Sequence, residues 1–82
     1  MPFFAYILYS ESMAKYYIGQ TNNIQQRLDR HNAGLMSFTS KGVPWHLIYF
    51  KEFPTRSEAR RMELSIKKRG AKRFLQDIGK QS

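Results

Sequence analysis

The chain has 82 residues, of which 41% are hydrophobic and 15% aromatic, enough for one folded domain and against general disorder. Its formal net charge of +8 indicates a polyanionic partner, and nucleic acid is the default. For any single run of basic residues, the alternative interpretation is a helix face exposed to solvent. The absence of Cys excludes disulfides and thiolate metal sites. The sequence shows no signal peptide and no apolar run of about 20 residues. We therefore expect a soluble, cytoplasmic protein with no membrane partner.

The first predicted element is a strand over residues 3–9, a continuous apolar run rich in aromatics. Such a run is typical of a central strand that is covered on both faces. A polar break follows, and then residues 16–19 form a second short strand. The two strands predict a β-hairpin with a loop of about four or five residues.

The hairpin carries two tyrosines that lie on one face if the strands pair in a suitable register. Pairing Tyr6 with Tyr17 and Tyr9 with Ala14 places both phenols on the same side and leaves residues 10–13 as the loop. For a single strand tyrosine the ordinary interpretation is core packing. Two tyrosines on one face near an Arg and a His favour a functional site.

A helix is predicted after the hairpin. Asn22 or Asn23 can cap its start, and Ile24 and Leu28 form its buried stripe. Gly34 is a suitable residue to end it.

Arg27 and His31 lie at the border of that buried stripe. For Arg27 the alternatives are solvation or a carboxylate partner, and for His31 they are capping or packing. In the loop over residues 35–44, Phe38, Thr39 and Lys41 are candidates for contact with a nucleic-acid strand.

Residues 45–50 predict the third strand, with Pro44 just before it, where the missing amide donor matters least. Trp45 and Phe50 are interpreted as core residues. Thr55 and Glu58 then match a capping box that opens a long helix.

The long helix extends to about Arg69, and Gly70 breaks it. Apolar residues recurring over 71–78 predict a short last helix that covers the sheet. The predicted fold is therefore α+β, with a three-stranded antiparallel sheet flanked by three helices in the order β-β-α-β-α-α.

Glu63 lies on the apolar stripe of the long helix, together with Ala59, Met62 and Ile66. Burying an unpaired carboxylate is costly. One interpretation is an ion pair with Lys67 four residues later, which stabilises a helix by about 0.2–0.5 kcal/mol. The other is a carboxylate at the rim of a cleft that holds a hard cation.

These pieces together resemble the GIY-YIG nuclease family. The letters FAY at residues 4–6 stand where the GIY element is expected, and YIG at 17–19 matches the second element. An Arg follows ten residues after the YIG tyrosine and a His four residues further on. SEARRMELSIKK resembles the later helix with its acidic residue, and SKGVPWHLIYFKEF resembles the small standalone branch. The resemblance covers almost all of residues 1–82, read as one domain.

The resemblance implies metal-dependent hydrolysis of a phosphodiester in nucleic acid. Tyr6 would be the general base or would orient the attacking water, and Tyr17 would support it. Arg27 would stabilise charge on the phosphate, and His31 would assist through hydrogen bonding or proton transfer. Glu63 would bind one divalent cation, Mg²⁺ or Mn²⁺. A nearby Arg⁺ or metal ion in a sheltered cleft could lower the pKa of the catalytic tyrosine.

The expected partner is nucleic acid, with DNA favoured over RNA, and no small-molecule cofactor is expected. The predicted contacts are Arg27, Arg30, Lys41, Lys67 and Lys68. Low sequence specificity is implied, and selectivity for branched, nicked or single-stranded substrates stays open. The sequence departs from the family pattern in two ways. Phe4 replaces the GIY glycine, and no Asn follows Asn32, although the family often carries an Asn near its C-terminal part. The alternative function is a non-catalytic nucleic-acid-binding module on the same scaffold.

Overall fold

The computed structural model describes residues 2–34 and 39–79. It contains, in chain order, β1 (Phe3–Ser10), β2 (Lys15–Thr21), α1 (Ile24–Asn32), a short 3-10 helix (Ser40–Gly42), β3 (Trp45–Phe53), α2 (Arg56–Arg69) and α3 (Ala71–Asp77). The predicted α+β fold and the order β-β-α-β-α-α are confirmed. Each strand is longer than its apolar run indicated.

The sheet is antiparallel, with the strand order β2-β1-β3. The central strand β1 is covered on both faces, as its continuous apolar run predicted. Its even-numbered residues point to the face that α1 covers, which we call the α1 face. Its odd-numbered residues point to the face that α2 and α3 cover, which we call the α2 face.

Each face carries its own hydrophobic core. On the α1 face the core consists of Tyr6, Leu8 and Trp45, with Met13, Tyr17, Ile24, Leu28 and Leu47 packed against them. On the α2 face it consists of Ile7, Ile66, Ala71 and Leu75, with Tyr16, Ile18, Ile48, Tyr49, Met62 and Phe74 around them. The β1–β3 register shifts between Ile7 and Leu8, which directs two successive β3 residues to the α2 face.

The hairpin register is shifted by two residues from the prediction. Tyr6 lies opposite Gly19 and Leu8 lies opposite Tyr17, so the two tyrosines share a face but are not direct partners. The turn occupies residues 11–14 rather than 10–13. Ser10 stays in the strand because its hydroxyl accepts the Met13 amide at 3.2 Å, and Ala14 closes the turn with a φ of 53°.

The helix ends lie where local sequence placed them. The Asn23 side chain accepts the Gln26 amide at 3.0 Å, and Thr55 accepts the Glu58 amide at 3.3 Å. Gly34 and Gly70 follow their helices with φ values of 73° and 92°, a conformation that favours glycine. In the part of the chain that the structure describes, no helix has the length and apolar character needed to cross a membrane.

The two aromatic residues of β3 that were interpreted as core differ in the structure. Trp45 is buried, as predicted, but Phe50 is 55% exposed. The interpretation of Phe50 as core is therefore wrong. Its strand pairs with β1, yet no core cluster includes its ring.

Candidate active site

Tyr6 lies at the centre of the candidate site because β1 is the central strand and Tyr6 points to the α1 face. Its side chain is buried, and its hydroxyl lies directly over Gly19 of β2. A Cβ at position 19 would lie 2.6 Å from the Tyr6 Oη and 2.8 Å from its Cζ. A glycine is therefore needed opposite Tyr6 for the phenol to take this position.

His31, near the end of α1, is fully buried against the same phenol. Its Nε2 lies 3.4 Å from the Tyr6 Oη, and its Nδ1 lies 2.9 Å from the Thr39 Oγ1. The Thr39 carbonyl in turn accepts the Trp45 indole N–H at 2.7 Å. These contacts tie together β1, α1 and the segment before β3.

Tyr17 completes an aromatic cluster around the imidazole. Its ring centroid lies 4.6 Å from that of His31 and 6.4 Å from that of Tyr6, to which it is roughly parallel. The shared face that the sequence predicted for the two phenols thus brings them together, although through a different register.

Arg27, one turn before His31 on α1, is half-buried, and its charge acts on both Tyr6 and His31. Among residues 2–34 and 39–79, the ion pairs are formed by Arg60, Lys67 and Arg69, not by Arg27. Its guanidinium therefore has no carboxylate partner within the described chain.

The electrostatics of the cluster keep its two central groups neutral. Burial raises the pKa of Tyr6, and the neighbouring Tyr17 and Glu63 raise it further, while Arg27 lowers it. Burial also lowers the pKa of His31, and Arg27 and Arg30 add to that effect. In the protein alone the pKa of Tyr6 is therefore raised, because burial outweighs the one guanidinium. Near pH 7 a neutral phenol faces a neutral imidazole.

Glu63 of α2 is 5% exposed, and its carboxylate is paired twice. Oε1 lies 3.1 Å from the Arg60 Nη1, and Oε2 lies 2.8 Å from the Lys67 Nζ. The predicted ion pair with Lys67 is confirmed. The carboxylate also lies close enough to raise the pKa of Tyr6, so α2 contributes a negative charge to the cluster.

Of the predicted catalytic residues, Glu63 is the one that offers a carboxylate to a divalent cation. Within the described residues, no three or more His, Asp or Glu side chains are grouped so that they could hold a metal ion. Mg²⁺ is commonly bound by one or two carboxylates, with substrate phosphates and water as its other ligands. Glu63 can serve in that way if Arg60 and Lys67, both about half exposed, move off its oxygens.

The other predicted contact residues are dispersed around this cluster. Arg30 is exposed on α1 and lines a cavity of about 460 Å³ with Asn23, Gln25, Gln26, Asp29 and Ala33, away from Tyr6. Lys41 is exposed in the 3-10 helix, and Lys68 is exposed on α2. Thr39 was predicted as a nucleic-acid contact, but its side chain is buried and holds His31, so that prediction is wrong. Phe38 lies outside the described residues.

Three residues of the site were not found by the sequence reasoning. Gly19 was treated as part of a strand, although its position in YIG was a usable signal. Thr39 was considered only as a contact for nucleic acid, not as a partner of His31. Asn32 donates to the Trp45 carbonyl at 3.1 Å and accepts the Trp45 amide at 2.6 Å, which fixes the end of α1 that carries His31.

Comparison with known proteins finds relatives of this chain among the UPF0213 proteins. The chain is 41% identical over 54 residues to the UPF0213 protein lin0209 of Listeria innocua, a match that covers 65% of this chain and 60% of that protein. It is 37% identical over 67 residues to the UPF0213 protein CPE1444 of Clostridium perfringens, covering 80% and 72%. The match thus spans about 60% of the length of the Listeria relatives.

The solved structures and the family models agree with these matches. The solution NMR structure of the UPF0213 protein BH0048 from Bacillus halodurans superposes with a TM-score of 0.58 at 26% identity, covering 96% of this chain and 84% of that one. The family model described as the GIY-YIG catalytic domain matches residues 2–76, nearly the whole chain. With the sequence motifs, the sheet order and this match in agreement, the chain belongs to the GIY-YIG family, a nuclease family.

Proposed function

We propose that this chain is a metal-dependent endonuclease that hydrolyses phosphodiester bonds in nucleic acid, with DNA favoured over RNA and with low sequence specificity. The observation that carries the proposal is the continuous contact from the Tyr6 hydroxyl through the His31 imidazole to Thr39, with Arg27 beside it. Arg27, which forms no ion pair among the described residues, supplies a positive charge that acts on the phenol.

The proton path follows from the two neutral groups. With His31 Nδ1–H donating to the Thr39 Oγ1, the Nε2 lone pair is free to accept the Tyr6 O–H. As a water oxygen attacks phosphorus, Tyr6 takes the water's proton and passes its own to His31, which then releases its proton to solvent and returns to the neutral form. The bond from phosphorus to the leaving oxygen breaks, and that oxygen takes a proton from solvent. In this scheme Tyr6 needs no stable phenolate, which agrees with its raised pKa.

Charge on the phosphate is stabilised by Arg27. A guanidinium can bind two phosphate oxygens at once, and this contact strengthens as negative charge develops on them. Tyr17 lies against His31 and supplies a second phenol on the same face, which positions the imidazole. Glu63 would hold the divalent cation, Mg²⁺ or Mn²⁺, which when bound supplies further positive charge to the phosphate oxygens.

The test is cleavage of labelled single-stranded and duplex DNA and RNA by purified protein, with Mg²⁺ or with a chelator. We expect Tyr6→Phe and Glu63→Gln each to lower the cleavage rate by about 100-fold or more, because general-base catalysis and charge stabilisation each contribute on that order. Binding, measured by fluorescence anisotropy in chelator, should survive both changes.

Two matched variants serve as controls. Tyr9→Phe removes a phenol from the same strand on the α2 face, and Glu58→Gln removes an exposed carboxylate from the same helix. Both should cut like the unaltered protein. Cutting that persists in Tyr6→Phe and Glu63→Gln would assign the activity to another site. Binding without any cutting by the unaltered protein would support the non-catalytic module instead.

A further inference from the structure

A pair of aromatic rings, one of them exposed, lies on the α1 face next to the candidate active site. Phe50 of β3 is directly opposite Tyr6 in the β1–β3 register, so the two side chains share that face. The Phe50 ring is 55% exposed. It contacts Phe4 of β1, with ring centroids 6.1 Å apart and planes at 68°.

Helix α1 leaves this corner of the sheet open. The core beneath α1 includes Leu8, Leu47 and Trp45, and the end of the helix is anchored on Trp45 by Asn32. Phe4 and Phe50 lie further along the same strands and belong to no core cluster. The exposed ring therefore remains next to Tyr6 on a face that is otherwise covered.

One exposed apolar side chain is ordinary in a folded protein. Three features distinguish this one: a second aromatic ring contacts it, it is the cross-strand neighbour of Tyr6, and the chain carries a net charge of +8. Charge attracts a polyanion, and an exposed ring offers a surface on which a base can stack.

We propose that Phe50, supported by Phe4, is a stacking site for an unpaired nucleobase, so that the site takes single-stranded nucleic acid or unpaired ends. The proposal rests on the proposed function in that it assigns the substrate class of the same site. In a duplex each base is already stacked on both sides, so an exposed ring selects bases that are free.

The spacing of the strands accommodates one nucleotide. Gly19, Tyr6 and Phe50 are neighbours across β2, β1 and β3, so the outer two lie about 10 Å apart, two strand spacings. A phosphate near the Tyr6 hydroxyl, which lies over Gly19, leaves the attached base within reach of Phe50. Glu52 lies opposite Phe4 and repels phosphate, so the backbone is expected to run on the Arg27 side.

The test measures binding in chelator, where no metal-dependent cutting occurs. Fluorescence anisotropy compares a short oligodeoxythymidine with an oligomer of the same length in which abasic sites replace the bases. We expect Phe50→Ala to weaken binding of the oligodeoxythymidine by about 5- to 20-fold, the lower part of the range for one stacked base. Binding of the abasic oligomer and of duplex DNA should change less than about twofold, because these depend on phosphate charge.

Leu64→Ala is the matched control, since Leu64 is 48% exposed on α2, on the other face of the sheet. It should leave all three affinities unchanged. Phe50→Trp should retain binding, and its new fluorescence should be quenched by the oligodeoxythymidine but not by the abasic oligomer.

An equal loss for both oligomers in Phe50→Ala, or fluorescence of Phe50→Trp that the oligodeoxythymidine does not quench, would overturn the stacking site. Neither result would affect the proposed cleavage, which is read from Tyr6→Phe and Glu63→Gln. If the unaltered protein bound single strands with base-dependent affinity but never cut them, the stacking site would stand and the nuclease proposal would fail.

Discussion

At the scale of single residues, Gly19 determines where the Tyr6 hydroxyl lies. We expect Gly19→Ala to displace the phenol from His31, because the new Cβ would lie 2.6 Å from the Tyr6 Oη and the buried ring has little room to move. Overpacking of this kind costs about 1–3 kcal/mol. The cleavage rate should fall by at least about tenfold, since a displaced general base loses its geometry. Cleavage assays and urea unfolding measure both effects.

The double variant of Gly19→Ala with Tyr6→Phe separates this clash from a general effect on β2. Removing the hydroxyl takes away the closest contact, so the unfolding cost of the alanine should be smaller in the Tyr6→Phe background than in the unaltered protein. An identical cost in both backgrounds would mean that the glycine is needed for the strand or for the aromatic ring, whose Cζ would still lie 2.8 Å from the new Cβ, rather than for the hydroxyl.

His31 makes the stability of the protein depend on pH. Its pKa in the folded state is lowered from the ordinary value of 6.5 by burial and by Arg27 and Arg30. Above that ordinary value the unfolded and folded chains both carry a neutral imidazole. As the pH falls below it, the unfolded chain takes up the proton first, so stability decreases, by at most about 1.4 kcal/mol per pH unit. Urea unfolding between about pH 5 and about pH 7 measures this slope.

The two histidines of the chain provide a matched comparison. His31→Gln keeps a side chain that can bond to Tyr6 and Thr39 but removes the titrating group, so we expect a flatter pH dependence. His46 is exposed on β3, and His46→Gln should leave the slope unchanged. A slope that His31→Gln does not alter would show that other groups control stability in this range.

At the scale of elements, the sequence was sufficient where the signal is local. The apolar run of β1, the caps at Asn23 and Thr55 and the glycines at 34 and 70 each act within a few residues, and each was predicted in place. The hairpin register was not, because it depends on how residues 11–14 turn. A shift of two residues leaves the faces intact, which is why the shared face of the two tyrosines was still predicted.

Contacts between elements were harder to predict where the two residues are far apart in the sequence. Thr39 lies eight residues from His31, and Asn32 lies 13 residues from Trp45, so no periodicity relates these contacts. The exposure of Phe50 depends on which part of the sheet α1 covers, a property of helix placement rather than of the strand. Glu63 was detectable because a carboxylate on an apolar stripe is unusual, whatever its partner.

At the scale of the whole molecule, the uneven distribution of basic residues along the chain bears on nucleic-acid binding. Ten of the 14 basic residues follow residue 50, and within the described chain only Arg60, Lys67 and Arg69 are in ion pairs. Most of the positive charge is therefore available to phosphates. Each phosphate contact releases counterions, so the binding constant should decrease steeply as salt is raised.

We expect Lys68→Gln to weaken single-stranded DNA binding and to reduce the slope of log K against log salt by about 0.7, the value for one phosphate contact on a single strand. Lys15→Gln makes the same change at the end of the hairpin, outside the predicted contacts, and should alter the slope less. Anisotropy titrations at several salt concentrations give both slopes. A binding constant that did not respond to salt would be incompatible with a surface that binds phosphates, because added ions must screen the long-range attraction of this basic chain. Such a result would indicate a protein partner instead.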